Sequence, residues 1–275
     1  MALVGRRIVI WCGDAPNQKA LVAKLSTKFR ISGIVIDEKS EGSTKRKISD
    51  LPLLLWDRLR FRKIYNCWKK LQQYYSSAFV SWPDVPVLRT NNINSKETED
   101  FTKAFQTDLI VVSGTGLVKG SLLNIPAKIG IVNLHTGLSP YVKGGPNCTN
   151  WCIANNDWHL VGNTIMWINS GIDSGNIITS ETIDINNAPN FFEAHKIVMD
   201  HAHELYVRAI EYLMNSEPPF NSVAQSSIGK GKLFLTKMWN SDKKTDLLRN
   251  WKKRKNIIKQ YTPETIQLPL IINRQ

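Results

Sequence analysis

No apolar run in this chain approaches the ~18 residues needed to cross a bilayer, so no membrane span is predicted. Cysteine is scarce. The four present, Cys12, Cys67, Cys148 and Cys152, follow neither a disulfide framework nor a zinc-ribbon spacing, and reduced thiols in a cytoplasmic protein are expected. The opening "MALVGRRIVIWCG" turns polar after a few residues, unlike a secretory leader. Internal repeats are absent. Histidine is also sparse. His195, His201 and His203 fall on one helical segment at spacings that turn them to different faces, so no metal site is expected, and His195 reads as a hydrogen-bonded core residue.

Positive charge is what the chain has in excess, at net +13 over 275 residues, and its distribution is uneven. Residues 39–70 hold 10 Lys/Arg against 3 Asp/Glu, and residues 230–259 hold 11 against 2. These segments carry net +7 and +9, so the remainder is net −3. Such runs suit phosphates, nucleic acid or an anionic membrane, or are simply solvated faces.

The first half alternates strand and helix patterns. "RRIVIWCG", "ISGIVID", "VPVLRT", "DLIVVSG" and "KIGIVNLH" read as strands. "APNQKALVAKLSTKF" has apolar residues near helical spacing, and "SKETEDFTKAFQ" opens with Ser95 as N-cap and acids in its first turns. Alternation of this kind predicts an α/β fold with a mostly parallel sheet, whose site lies beyond the carboxyl ends of the strands. An insertion at about 39–82 carries an aromatic stripe at Phe61, Ile64, Tyr65, Trp68, Leu71 and Tyr75, predicting one basic amphipathic helix. Its stripe suits docking onto the protein, a membrane surface or a phosphate-binding rim. Two more strands are expected in "GNTIMWIN" and "GNIITSETIDI". A long helix from Phe191 buries His195, Val198, Ala202, Leu205, Ala209 and Leu213, and Pro218-Pro219 marks its break from a lysine-rich C-terminal extension, 216–275.

The chemistry concentrates in "GIVNLHTGLSPYVKGGPN", residues 130–147. Asn133 and His135 stand two apart, so on a strand they share a face. A carboxamide donates to a carbonyl oxygen without titrating, and an imidazole donates or takes a proton near neutral pH. The pair suits attack on a carbonyl, where an oxyanion is stabilised and a proton moved. Asp173, 38 residues beyond His135 in a glycine-flanked turn, is the candidate to orient the imidazole.

With "DLIVVSGTGLV", "GIVNLHTGLSPYVKGGPN" and "NNDWHLVGNTIMWINSGIDSGNII" in this order, residues 108–181 resemble the formyltransferases that use 10-formyltetrahydrofolate. That family includes glycinamide ribonucleotide formyltransferase, methionyl-tRNA formyltransferase and the sugar N-formyltransferases. The resemblance implies a Rossmann-like catalytic domain over 1–215, no metal, and Asn133, His135 and Asp173 as the catalytic trio. It implies that Ser113, Gly114, Thr115, Gly116 and Leu117, with Gly171, Ile172 and Ser174, cradle the pterin of the folate. Gly144 and Gly145, beside Tyr141, Lys143 and Asn147, would form the substrate-binding loop.

"GDAPNQKAL" is similar to the phosphate loop of the glycinamide ribonucleotide enzymes, but Ala15 and Pro16 stand where that family has glycine and serine, and proline lacks an N–H. The 60 residues after the core fall short of the C-terminal barrel of the methionyl-tRNA enzymes. Proportions fit the sugar branch, which formylates an amine on a nucleotide-linked deoxysugar for surface polysaccharide such as lipopolysaccharide. The expected partners are therefore folate and a nucleotide-linked amino sugar, with methionyl-tRNA or another amine as the alternative acceptor. A folate- or nucleotide-binding module without catalysis is the reading from a different class. The sequence leaves the sugar, the nucleotide and the oligomer, a homodimer among the options, open.

Overall fold

The apolar runs that end in glycine or a polar residue form the middle of a seven-stranded sheet in the computed structural model, which describes residues 5–38, 51–145 and 147–259. Its strands are β1 (Ile8–Gly13), β2 (Ile31–Asp37), β3 (Val87–Thr90), β4 (Leu109–Ser113), β5 (Gly130–His135), β7 (Gly162–Trp167) and β8 (Ile177–Thr182). They lie in the order β3-β2-β1-β4-β5-β7-β8. Pairing is parallel from β3 to β5 and antiparallel for β5–β7 and β7–β8. The fold class is thus the mostly parallel α/β sheet that strand–helix alternation predicts. Chain order reverses direction between β1 and β4, which opens a crevice beyond their carboxyl ends.

Alternation along β1 sends Ile8, Ile10 and Cys12 to one face and Val9 and Trp11 to the other. Helices α1 (Pro16–Ser26) and α6 (Phe191–Asn215) cover the first face. Helix α4 (Lys96–Ala104) covers the second through Phe101 and its C-cap residue Phe105. Ser95 caps α4 as its position suggests, accepting from the Thr98 N–H. Every apolar position expected on the α6 stripe is buried, and His195 beside them is hydrogen-bonded to Asn150.

The insertion differs from a single helix. It forms α2 (Leu51–Arg60) and α3 (Arg62–Ala78), broken at Phe61, whose φ of −106° and ψ of 26° leave helical geometry. Phe61 is buried at this corner, 1% exposed, so burying the ring competes with continuing the helix. Ile64, Leu71 and Tyr75 are buried as the stripe predicts, while Tyr65 and Trp68 stay partly exposed. The first part of the insertion, 39–50, lies outside the described residues.

After α6 the chain returns to the core. Strand β9 (Lys232–Phe234) pairs in parallel with β6 (Val142–Gly144), and α8 (Ser241–Lys259) packs on α5 (Cys148–Asn155). Phe234 stacks on Trp151 with ring centroids 4.5 Å apart. At Gly144, where φ is +84°, a Cβ would sit 2.1 Å from the Phe234 carbonyl oxygen, so only glycine admits this ladder.

Tyr206 of α6 ties β4 to β5 from below. Its hydroxyl accepts from Val112 N at 3.0 Å and lies 2.8 Å from Val132 O, adjacent in chain to Asn133. Tyr206→Phe strands a buried backbone N–H and is expected to cost about 1–3 kcal/mol. Urea unfolding of both proteins checks this, and an unchanged midpoint would show the clamp to be redundant.

Candidate active site

Parallel pairing brings the ends of β1, β4 and β5 to one edge, and a cavity of about 1000 Å³ opens there. Asn133 and His135 line it from β5, as does Asp173 from the turn before β8. The cavity is also lined by Ser113, Gly114, Thr115, Gly116 and Leu117 after β4, by Gly171, Ile172 and Ser174, and by Gly144 and Gly145. Tyr141, Lys143 and Asn147 are not among its lining residues. Tyr141 packs with the Trp151–Phe234 cluster, Lys143 sits in β6 opposite Leu233, and the Asn147 side chain caps α5 by accepting from Asn150 N at 3.1 Å.

His135 is buried, 7% exposed, and both ring nitrogens are engaged. Nδ1 faces Asp173 Oδ2 at 3.3 Å, and Nε2 faces the Val142 carbonyl at 2.9 Å. Two acceptors leave the ring both protons, which makes it an imidazolium. Burial opposes that charge, but the Asp173 carboxylate and the Cys148 sulfur overcome it, pushing the pKa up to about 10. Cys148 Sγ lies 3.6 Å from Nε2. Gly137 must be glycine here, since a Cβ would lie 2.3 Å from Nε2 and 2.8 Å from Cys148 Sγ.

Asp173 is held from two sides. Its Oδ2 accepts from Gly144 N at 2.9 Å, which links the aspartate turn to β6. Its backbone, at φ +46°, is pinned by Gln225 of α7 (Gln225–Ile228), whose Nε2 donates to the carbonyls of Asp173 at 2.8 Å and Gly175 at 2.9 Å. A mutual backbone pair between Ile177 and Val223 fastens the same segment.

Several site residues escaped the sequence reading. Gln225, Cys148 and the cavity-lining Phe234, Leu235 and Thr236 come from separate segments and carry no local pattern. Gln18, in the first turn of α1, lines the cavity with its Oε1 buried and without a partner. Asp37 at the end of β2 lines it too, accepting from Gly116 N at 2.9 Å. Its position at a strand terminus was the available clue. His195, His201 and His203 do not converge. They bond Asn150, Glu181 and Lys24 respectively.

The formyl transferase family profile matches residues 8–210. The methionyl-tRNA formyltransferase of Clostridium perfringens (strain SM101 / Type A) is 32% identical over 136 residues, which is 49% of this chain and 43% of that protein. The chain thus spans less than half of that relative's length in the match. Among solved structures, a 4-N formyltransferase from Francisella tularensis superposes with TM-score 0.57 at 18% identity, covering 89% of this chain and 87% of that one. An N-formyltransferase from Helicobacter canadensis, solved with folinic acid and dTDP-3-aminofucose, gives TM-score 0.56 at 15% identity, covering 88% and 80%. At these identities the two structures show a shared fold.

The raised pKa ties stability to pH. His135 stabilises the folded state fully below its ordinary pKa of 6.5, and the contribution disappears as pH rises from there through about 10. Imidazole NMR is expected to show the ring protonated at neutral pH in the wild type. In Asp173→Asn, burial is left with less opposition and the pKa falls. In Gln225→Met, which keeps length but removes both donors, the pKa also falls, and turnover drops by about 10- to 100-fold. A wild-type imidazole titration in Gln225→Met would reduce that residue to a packing role.

Proposed function

This chain belongs to the formyl transferase family, and on that footing we propose that it moves a formyl group from 10-formyltetrahydrofolate to the primary amine of a nucleotide-linked amino-deoxysugar. The observation that carries the chemistry is that Asn133, His135 and Asp173 line one cavity, with His135 Nδ1 facing Asp173 Oδ2 at 3.3 Å. About 1000 Å³ is at the upper end of ordinary ligand pockets and leaves room for a donor and an acceptor together.

The amine nitrogen attacks the formyl carbon, the new C–N bond forms, and the carbonyl oxygen becomes an oxyanion. Asn133 donates to that oxygen, and the imidazolium of His135 stabilises its charge in a low-dielectric setting. Breaking the bond to folate N10 releases the product, with one net proton passing from the amine to N10. His135 is the relay candidate, and Nε2 is the nitrogen away from Asp173. Because Nε2 is held by the Val142 carbonyl, relay through it requires β6 to yield at that bond. Asp173 keeps the ring charged and oriented. Ser113, Gly114, Thr115, Gly116 and Leu117 with Gly171, Ile172 and Ser174 offer backbone groups to the pterin. The unpaired Gln18 Oε1 supplies an acceptor for a substrate donor. Exclusion of water protects the formyl donor from hydrolysis.

A sugar acceptor is favoured by the segment after α6, where β9 delivers Phe234, Leu235 and Thr236 to the cavity wall. The likeness to the Francisella 4-N formyltransferase covers 89% of this chain, more than residues 8–210 account for, so it reaches into this segment. Methionyl-tRNA is the competing acceptor, favoured by the 32% identity to the Clostridium enzyme. Either acceptor is processed in the cytoplasm on this reading.

Incubation with 10-formyltetrahydrofolate and a panel of nucleotide-linked 3-amino and 4-amino sugars is expected to yield an N-formyl sugar by mass spectrometry, with Asn133→Ala and His135→Asn each at least ~100-fold slower. Formylation of methionyl-tRNA alone would replace the sugar by the tRNA. Unchanged turnover in folded Asn133→Ala would remove the oxyanion assignment.

A further inference from the structure

Helix α2 is a ten-residue helix with no buried residue. Leu51, Leu55 and Leu59 recur every four residues along it, with Trp56 beside them and Leu53 at the edge of the same face. Trp56 is 65% exposed, Leu59 68% and Leu53 73%. Leu54 and Asp57 are its half-buried side chains, so the helix rests on the protein by its polar-edged back and turns its apolar face outward. Isolated helices below about 12–15 residues are marginal in water, and this one gains little from the core. Its composition therefore favours a surface that covers it.

The charge around it says what that surface is. Exposed Arg58 and Arg60 stand at the two margins of the apolar face, and exposed Arg62, Lys63, Lys69 and Lys70 follow on α3. Folding adds the second basic segment to the first. Lys244 of α8 bonds Asp57 at 2.6 Å and lies over the rings of Phe61 and Tyr65. Arg60 Nη2 reaches Thr245 Oγ1 at 3.5 Å. On from that junction, at helical spacing on the same side of α8, come exposed Arg249, Lys252 and Lys253. Asp57, the acidic residue of α2, is already occupied by Lys244. Two stretches some 190 residues apart in the chain thus form one cationic zone around an outward apolar helix.

We infer that α2 lies in the interface of an anionic lipid membrane, its Leu55, Trp56 and Leu59 side chains inserted among the acyl chains and the arginines and lysines of α2, α3 and α8 on the headgroups. Nucleic acid would use the cations and leave the leucines in water. A second copy of this chain, related by a two-fold axis through this face, would set one cationic zone against the other. An anionic bilayer satisfies both the apolar face and its margin. Helix α3 continues from α2 to Trp68, which lines the catalytic cavity, so docking and substrate binding share one pair of helices.

Flotation of the full chain with vesicles of phosphatidylcholine and phosphatidylglycerol at roughly 3:1, and with phosphatidylcholine alone, tests this. Binding is expected to the anionic vesicles and to fall at high salt. Two variants separate the contributions: Leu55→Ser/Trp56→Ser/Leu59→Ser, and Arg58→Gln/Arg60→Gln/Arg249→Gln/Lys252→Gln. Each is expected to lower partitioning at least ~10-fold while leaving formyl transfer to a soluble acceptor unchanged. A blue shift of Trp56 emission on vesicle addition, absent in the serine variant, would support insertion. No binding by the wild type overturns the inference, as does full binding by the serine variant. A dimer abolished by the serine variant without vesicle binding assigns the face to a second copy, and salt-dependent RNA binding without vesicle binding assigns it to nucleic acid. Both overturn it.

Discussion

A buried imidazolium between a carboxylate and a carbonyl is the constraint around which the candidate site is arranged. Charge in the interior is expensive unless it is paired, and His135 lies inside a wall that admits little water. Asp173 supplies the counter-charge at 3.3 Å and the Val142 carbonyl takes the opposite proton at 2.9 Å. Each partner must itself be held. Asp173 has its carboxylate on the Gly144 N–H and its backbone on Gln225. Val142 and Gly144 sit in a three-residue strand that is paired only because β9 comes back from the far side of α6.

The consequence is that the segment after Asn215 is part of the candidate site in a physical sense. Through Gln225 it shapes the aspartate turn, through β9 it orders the strand that receives Nε2, and through Phe234, Leu235 and Thr236 it closes one cavity wall. Asn133 and His135 stand on the sheet, where β4–β5 pairing and the Tyr206 hydroxyl fix the end of β5. The strand end presents Asn133 and His135, and the turn that brings Asp173 is pinned by Gly144 and Gln225. On the proposed reaction, this division suits a site that would hold an oxyanion still while two substrates come and go.

Basic charge divides in a similar way. Some cations are engaged by the fold: Lys244 joins α8 to the α2–α3 corner, and Arg254 donates to the Ala188 carbonyl while lying over Trp251. Others on the same helices face outward around an apolar face. The pairing of Lys244 with Asp57 and Tyr65 therefore does more than stabilise a corner, because it brings two basic segments onto one side of the molecule.

What the sequence by itself determined were the features written in short-range pattern. Strand alternation, the Ser95 cap, the α6 stripe and the shared face of Asn133 and His135 follow from spacings of two to four residues, which local geometry converts directly into structure. Asp173 was legible as well, as a carboxylate in a glycine-flanked turn, before the resemblance to a known family added to it. Contacts between distant segments were not. Gln225 lies 52 residues from Asp173, and nothing near it marks it as a clamp. The break of the insertion at Phe61 depended on a burial site built partly by α8, and the placing of Asn147 as a helix cap depended on where α5 begins. Tertiary structure decided these because hydrogen bonds and buried rings select partners by position in space, and only closure of the whole sheet brings β6, β9 and the aspartate turn to one place.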